Sequence, residues 1–587
     1  MRPIRLSLGL MLLAAAALAA PGKEELSPIA FVHAHVVPMD EDRLLRDQTV
    51  IVVGGRITAT GPSATTPVPR GARIVDAKGR YLMPGLADMH VHLYAPQELT
   101  LYVVNGVTTV FDLNGRPVYL DWRDRIARGD LLGPTIYSAG PTFDRARTPE
   151  EAVAEVDRQA AAGYDAVKIY NQVSAAEYPA LIAEAKKKNL VLVGHIPREP
   201  GFEATMAAGQ SVAHAEEFLY TFFNDDPDPK NEVVHPLDTM KIPRAVARTR
   251  EAGVSVIPTL VAFHNIVRQA TALQAYLRDP NFAYHAPFLR AQLEPEANTY
   301  ANRWPPERLP GLQLAYEFQK LLVRALHDGG VPILAGTDAS WLGVPGFCLI
   351  EEVENFQDLG FTPYAALRTA TVDPARLLRR ENDFGTIAVG RRADLLLMRE
   401  NPLADVRHLR GVVGVMANGV WIPDAERRRL LEAVPGSYRS MLARLVNQAR
   451  ADLDTVDAEL SANDPLGSIS SAVMAGLAGT SDPAHVSQLL RRLHREKPQS
   501  RLTTEEALNE LGYDLFRRKQ KDAAIEIFRL NTELYPQSGN AYDSLAETYL
   551  RLGDEARAKE LYAKALAVQP DYGNAKEARR IVEGKSN

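Results

Sequence analysis

Two histidines one residue apart, His90 and His92, follow the turn Pro84-Gly85 in the run Leu86-Ala87-Asp88-Met89-His90-Val91-His92. Strand side chains alternate between faces, so residues 86, 88, 90 and 92 are expected on one face, with the imidazoles side by side. Two neutral imidazoles in that arrangement can bind one metal ion. Single buried histidines also occur as core packing, so the pair gains meaning from what accompanies it. Lys168 lies in Ala-Val-Lys-Ile-Tyr, His195 and His214 each close a short apolar run, and Asp338 follows Ala335-Gly336-Thr337. Core packing has no need for four histidines, a lysine and an aspartate that all fall at the ends of apolar runs. A shared metal site does need them. Asp88, one step deeper on the first run, is expected to orient the ligands from behind. Tyr170 and Asn171, just after Lys168, and Ser340 and Trp341, just past Asp338, are the substrate contacts expected from proximity.

The elements that must position these groups alternate. Short apolar strands are predicted at Leu86 to His92, Thr108 to Leu113, Thr135 to Ala139, Ala166 to Tyr170, Val191 to His195, Ser211 to His214, Val254 to Leu260 and Pro332 to Gly336. Between them lie helical stretches with capping boxes such as Thr148-Pro149-Glu150-Glu151 and Ser174-Ala175-Ala176-Glu177. Such alternation predicts an α/β fold with a parallel sheet inside helices, and eight units fit a (β/α)8 TIM-like barrel over residues 84–383. Active sites of such barrels sit where the strands end, which is where the six groups fall. Residues 28–83 and 384–422 have β character and are too small to bury cores alone. They are expected to combine into a small β-sandwich domain. Specificity is expected from the long loops Glu216 to Pro243 and Ala262 to Gly311, which bring Tyr220, Phe222, Phe223, His264, Arg268, His285, Arg303 and Trp304.

The length of 587 residues calls for two or three domains, and 46% hydrophobic with 24% charged residues is an ordinary globular balance. A net charge of -6 without a Lys/Arg block argues against nucleic acid as a partner. Arg2 and Arg5 before the apolar run Leu6 to Ala20 have the layout of a secretory signal peptide, residues 1–19 with a cut after Ala19. A periplasmic or secreted protein with no membrane span in the mature chain is expected, since no later run reaches the ~20 apolar residues a span needs. Cys348 is the only cysteine, so no intrachain disulfide can form. Residues 424–500 read as a charged helical linker. In residues 504–580 the pairs Leu511/Leu545, Leu515/Tyr549, Ala524/Ala558, Phe528/Tyr562 and Pro536/Pro570 are each 34 positions apart. They resemble tetratricopeptide repeats, which implies a protein partner or a plain helical cap.

The motif Pro84-Gly85-Leu86-Ala87-Asp88-Met89-His90-Val91-His92, with Lys168, Gly194-His195, Ala213-His214 and Gly336-Thr337-Asp338, resembles the amidohydrolase superfamily. The likeness continues through Gly385-Thr-Ile-Ala-Val-Gly-Arg-Arg-Ala-Asp and Asn401-Pro402-Leu403, over about residues 28–422. Val-Lys-Ile, Gly-His-Ile and Ile-Pro-Thr-Leu point to its imidazolonepropionase-like and prolidase-like members. The resemblance implies two divalent ions, expected to be zinc, with His90, His92 and Asp338 on one and His195 and His214 on the other. Lys168 would bridge them as a carbamate, a form reached only after the buried ammonium loses its proton. One ion beside an unmodified lysine is the alternative. Metal binding lowers the pKa of water from 15.7 to roughly 7 in favourable cases, so a hydroxide shared by the ions is the expected nucleophile. Asp338 is then the expected general base and acid. The leading expectation is hydrolysis of a C–N bond in a small molecule: a cyclic amide, an N-acyl amino acid or a dipeptide. The alternatives are a one-metal deaminase or cyclic-amide hydrolase, an ester or phosphoester hydrolase, and a non-catalytic scaffold with protein-binding repeats.

Overall fold

The computed structural model describes residues 27–583 apart from 145, 147, 225–236, 296–297, 340–341, 464–467 and 481. The expected signal peptide and the expected substrate contacts Ser340 and Trp341 lie outside the described residues. The chain divides into two compact units at Ser437/Tyr438.

In the first unit, strand Ile29–Val36 pairs antiparallel with Leu45–Val53 and parallel with Arg73–Asp76 and Tyr81–Pro84. Tyr81–Pro84 pairs antiparallel with Leu395–Met398, which leads on to Val412–Ala417 and Val420–Pro423. The segments before and after the parallel strands thus share one eight-stranded sheet. Phe31 and Trp421 lie four strands apart in it, a distance of roughly 19 Å in a flat sheet. Their ring centroids are 4.9 Å apart, so the sheet doubles over on an apolar core that includes Val50, Leu82, Leu395 and Met416. The fold brings two hairpin turns together: Gly54-Gly55 and Asn418-Gly419 are all at positive φ, as primed turns require, and a Cβ on Gly419 would lie 2.5 Å from the Gly55 Cα. Ile387, expected to have β character, joins no strand and donates its N–H to the Pro38 carbonyl.

The parallel strands form two sheets. One holds Leu86–Val91, Val107–Asp112 and Thr135–Ser138; the other holds Ala166–Ile169, Val191–Gly194, Ser211–Ala213 and Val256–Ile257. Isolated parallel bridges continue the series: Ala139 to Ala166 between the sheets, Val256 to Ile333, and Val91 to Ala339 back at the first strand. Helices such as Pro117–Arg128, Pro149–Ala162 and Tyr178–Lys187 separate the strands. Their starts follow from the sequence, with the Thr148 hydroxyl accepting from the Glu151 N–H, and Ser174 and Glu177 accepting from each other's N–H. Ala87, Met89, Phe111, Tyr137, Ala166, Val193, Ala213, Ile257 and Leu334 form one buried cluster drawn from every segment of the series.

Two expectations need correction. Strict alternation along the first strand fails, because Leu86 and Val91 join the core shared with the helices while Ala87 and Met89 join the inner cluster. Pairing with Val107–Asp112 shifts register between Asp88 and Val91, and a bulge of this kind re-aims the side chains that follow it. Pro332 to Gly336 forms no regular strand. A Cβ on Gly336 would meet the His90 Cβ at 2.9 Å, and Asp338 adopts φ 51, so the chain there bends around His90.

The second unit is helical, with Leu453–Asn463, Ser468–Thr480, Pro483–Glu496, Glu505–Arg517, Lys521–Leu534, Gly539–Arg551, Glu555–Val568 and Ala575–Val582. Leu511, Leu515, Ala524 and Phe528 and their equivalents 34 positions on are all buried. Pro483–Glu496 extends the stack by packing on Lys521–Leu534, with Arg491 paired to Glu533 at 2.8 Å.

Candidate metal centre

His92, His195 and His214 each sit one residue past a strand end, His90 and Lys168 one residue before one, and Asp338 follows the irregular run Pro332 to Gly336. His90 Nε2 and His92 Nε2 lie 3.4 and 2.9 Å from the same oxygen of Asp338. Among the described residues these three form one compact group of possible metal ligands, with atoms within 4.8 Å of one another. The ring of His214 lies 4.6 Å from that of His90 and 4.8 Å from that of His195. The structure therefore brings the four histidines and Asp338 together. Lys168 is buried, its Nζ has no hydrogen-bond partner among the described residues, and its charge acts on His90, His195, His214 and Asp338.

Burial sets the protonation of the site. It lowers His90 well below its ordinary range, lowers His195, and takes His214 down to about 3, so all three are neutral imidazoles with a lone pair to offer. Burial also lowers Lys168 to about 8 against the pull of Asp338, Glu217 and Asp112. For Asp338 burial works upward, but the hydrogen bond and charge of His92, with His214 and Lys168, hold it at about 2. Among the described residues both ring nitrogens of His90 and the Lys168 Nζ are buried polar atoms without hydrogen-bond partners, which is costly in a folded protein. Neutral imidazoles, a carboxylate and a lysine whose proton is loosened by burial fit one or two divalent ions.

The backbone around the ligands is strained. His214, Thr259 and Asp338 have φ of 73, 50 and 51, a region that costs a non-glycine residue roughly 1–2 kcal/mol. Such strain gathers at functional sites. Asp88 supports the site through the backbone: it accepts from the His90 N–H at 3.3 Å, the Thr337 N–H at 3.1 Å and the Thr337 hydroxyl at 2.7 Å. It thus ties the first strand to the loop that carries Asp338, although it does not share a strand face with both histidines.

Of the expected substrate contacts, Tyr170 packs its ring, tilted by 40°, 4.3 Å from that of His195. The Asn171 side-chain oxygen lies 2.6 Å from His195 Nδ1, so it is engaged with the histidine. Several of the residues expected on long loops lie in helices Leu219–Phe223 and Leu260–Tyr276 and serve packing: Phe222 on Phe202, Phe223 on Phe318 and His264 on Tyr316, while Arg268 pairs with Asp279.

The structure adds residues that were not singled out in the sequence. Glu217 lies 3.0 Å from His195 Nδ1 and 2.6 Å from Arg198, and these two partners hold its carboxyl at about 2 against burial. Thr259 Oγ1 is 2.8 Å from His214 Nδ1. Asp112, pushed up to about 6 by burial, ends the second strand and accepts from Leu93, Asn114 and Ser138. Burial and then the charges of Asp338 and Glu216 raise the phenol of Tyr300, which lies in helix Thr299–Arg303. The Glu216-Glu217 pair directly behind His214 and the aspartate closing Val107–Asp112 were the available signals. Nothing in the sequence marked Tyr300.

The chain belongs to the amidohydrolase family, whose profile matches residues 81–422. It is 26% identical over 399 residues to an imidazolonepropionase of Streptomyces coelicolor, covering 64% of this chain and 91% of that one. It is 23% identical over 409 residues to an adenine deaminase of Paracoccus denitrificans, covering 66% of this chain but only 55% of that protein's length. Among solved structures it resembles a bottromycin amidohydrolase, with a TM-score of 0.58, 22% identity, and 74% and 95% of the two chains covered. It also resembles a Xaa-Pro dipeptidase with bound methionine in the active site, with a TM-score of 0.53, 20% identity, and 68% and 100% covered. The fold is TIM-barrel-like α/β with a helical C-terminal region.

Proposed function

We propose that the chain is a metal-dependent hydrolase of a C–N bond in a small molecule: a cyclic amide, an N-acyl amino acid or a dipeptide. The observation that carries this reading is the approach of His90 and His92 to one oxygen of Asp338, with His214 and His195 beside them and a buried Lys168 that has no hydrogen-bond partner among the described residues. His90, His92 and Asp338 would hold one ion and His195 and His214 a second, with Lys168 as a carbamate between them and zinc the expected metal. Bound there, the ions would lower the pKa of water and polarise the substrate carbonyl. The protein's own part follows from its groups. Asp338 is ionised and faces the site, so its carboxylate accepts the proton of the attacking water and returns it to the leaving nitrogen. Asp88 holds the loop that aims Asp338, and Tyr170 forms a wall beside His195.

A second reading, a one-metal deaminase or cyclic-amide hydrolase, draws support from the compactness of the His90, His92 and Asp338 group taken alone. In either case we read the eight parallel segments as a (β/α)8 barrel, supported by the bridge from Val91 to Ala339, and the doubled-over flanking sheet as a β-sandwich. The 34-residue equivalences support tetratricopeptide-like repeats able to bind a protein, and Arg2, Arg5 and Leu6 to Ala20 support export to the periplasm or medium. Metal analysis of purified protein, with an activity screen over N-acyl amino acids, dipeptides, lactams and esters, tests the proposal. About two ions per chain is expected, and one supports the second reading. Asp338→Ala is expected to lower kcat by roughly 10²–10⁴-fold on a verified substrate. Full activity in that variant or in Lys168→Ala overturns the hydrolase reading.

A further inference from the structure

We infer that Glu217 is a positioning residue that fixes the tautomer of His195 so that Nε2 offers its lone pair to the site, with Arg198 holding Glu217 for that task; the inference rests on the two-ion reading above. His195 Nδ1 has two neighbours, the Asn171 side-chain oxygen at 2.6 Å and the Glu217 carboxylate at 3.0 Å. An amide can present either end to an imidazole nitrogen, so Asn171 alone leaves the histidine's proton undecided. A carboxylate locked to a guanidinium can only accept. Glu217 therefore requires the proton on Nδ1, and a neutral imidazole with its proton there has its lone pair on Nε2.

The rest of the local structure is built around this bond. Glu217 is 1% exposed, and its second oxygen takes the Arg198 Nη1 at 2.6 Å and the Ile196 N–H at 3.2 Å. Arg198 also donates to the Ile196 carbonyl at 3.0 Å, so Glu217 and Arg198 together clamp the loop that leaves His195. An ion pair with one buried partner is expensive to assemble and adds little stability by itself, so its place beside His195 is better explained by orientation than by folding. Glu216, next in the chain, bonds Tyr220 instead and does not duplicate the role. The partner of His214 Nδ1 is the Thr259 hydroxyl, which can donate or accept. Of the pair His195 and His214, only His195 has an acceptor that decides its tautomer.

Glu217→Gln keeps the shape of the side chain and removes the obligation to accept. Two measurements read it: the imidazole ¹⁵N shifts of His195 in metal-free, histidine-labelled protein, assigned with a His195→Gln variant, and zinc affinity by chelator competition. Thermal melting of the metal-free protein controls for folding. The wild type is expected to show the Nδ1–H form, and the variant a mixed or reversed tautomer. In the variant one zinc per chain is expected to bind about 10–100-fold more weakly, with the other unchanged. An unaltered His195 tautomer together with two zinc ions at wild-type affinity overturns the inference. If the wild type binds fewer than two ions, the two-ion reading fails by itself, while the metal-free tautomer measurement still decides the role of Glu217.

Discussion

The Asp88 carboxylate accepts both the hydroxyl and the N–H of Thr337, at 2.7 and 3.1 Å, across 249 residues of chain. Asp338 is the next residue, and its N–H is bonded to the His90 carbonyl at 2.7 Å. Thr337→Val removes the hydroxyl and leaves a buried carboxylate oxygen without its partner, at a cost of about 1–3 kcal/mol. Urea unfolding should show that loss, and metal affinity should fall with it, because Asp338 is aimed by the same loop. A variant with unchanged stability would mean that water replaces the hydroxyl.

Removing the metal should destabilise the first unit as well as stop catalysis. A ligand that binds only the folded state stabilises it by about 2.7 kcal/mol at one hundred times its Kd. Chelation should therefore lower Tm, and returning metal should restore it in a concentration-dependent way. The same Tm with and without metal would count against a site made of His90, His92 and Asp338.

Gly194 has φ 148, and a Cβ there would lie 2.1 Å from the Ile169 carbonyl oxygen on the neighbouring strand. Gly194→Ala must push strand Val191–Gly194 away from Ala166–Ile169, at a cost of about 1–3 kcal/mol or more. Since His195 follows directly, an ion that it would hold should be lost first. Metal stoichiometry and urea unfolding on the same preparation check this.

Glu352 is fully buried, and its two oxygens accept the N–H groups of Leu260 and Val261 at the start of helix Leu260–Tyr276. Burial outweighs those donors and pushes the carboxyl from its ordinary 4.5 up to about 8. The folded state then binds this proton more tightly than the unfolded state does. The contribution is fully present below about 4.5 and is lost as pH rises through about 8. Urea midpoints of wild type and Glu352→Gln should accordingly diverge between those values, with the wild type losing ground as pH increases. Parallel curves would show that Glu352 is ionised throughout.

The sequence by itself marked the candidate ligands and the order in which they occur. An apolar run that ends in His, Lys or Asp is a local pattern, and repetition of that pattern implies one rim. The helix starts were equally legible, because a capping residue such as Thr148 acts on its own next turn. Only the tertiary structure decided how the ligands are held. The bulge in Leu86–Val91 depends on pairing with Val107–Asp112 and on room made by Gly336, which lies far away in the chain. The tie from Asp88 to Thr337 joins groups 249 residues apart, and that from Glu217 to His195 joins the segments that follow the neighbouring strands Val191–Gly194 and Ser211–Ala213. Tyr300, in the short helix Thr299–Arg303, feels the charge of Asp338 with no sequence pattern to announce it. Local patterns are written in neighbouring residues, whereas orientation within a site is set by whichever distant groups the packing places behind it.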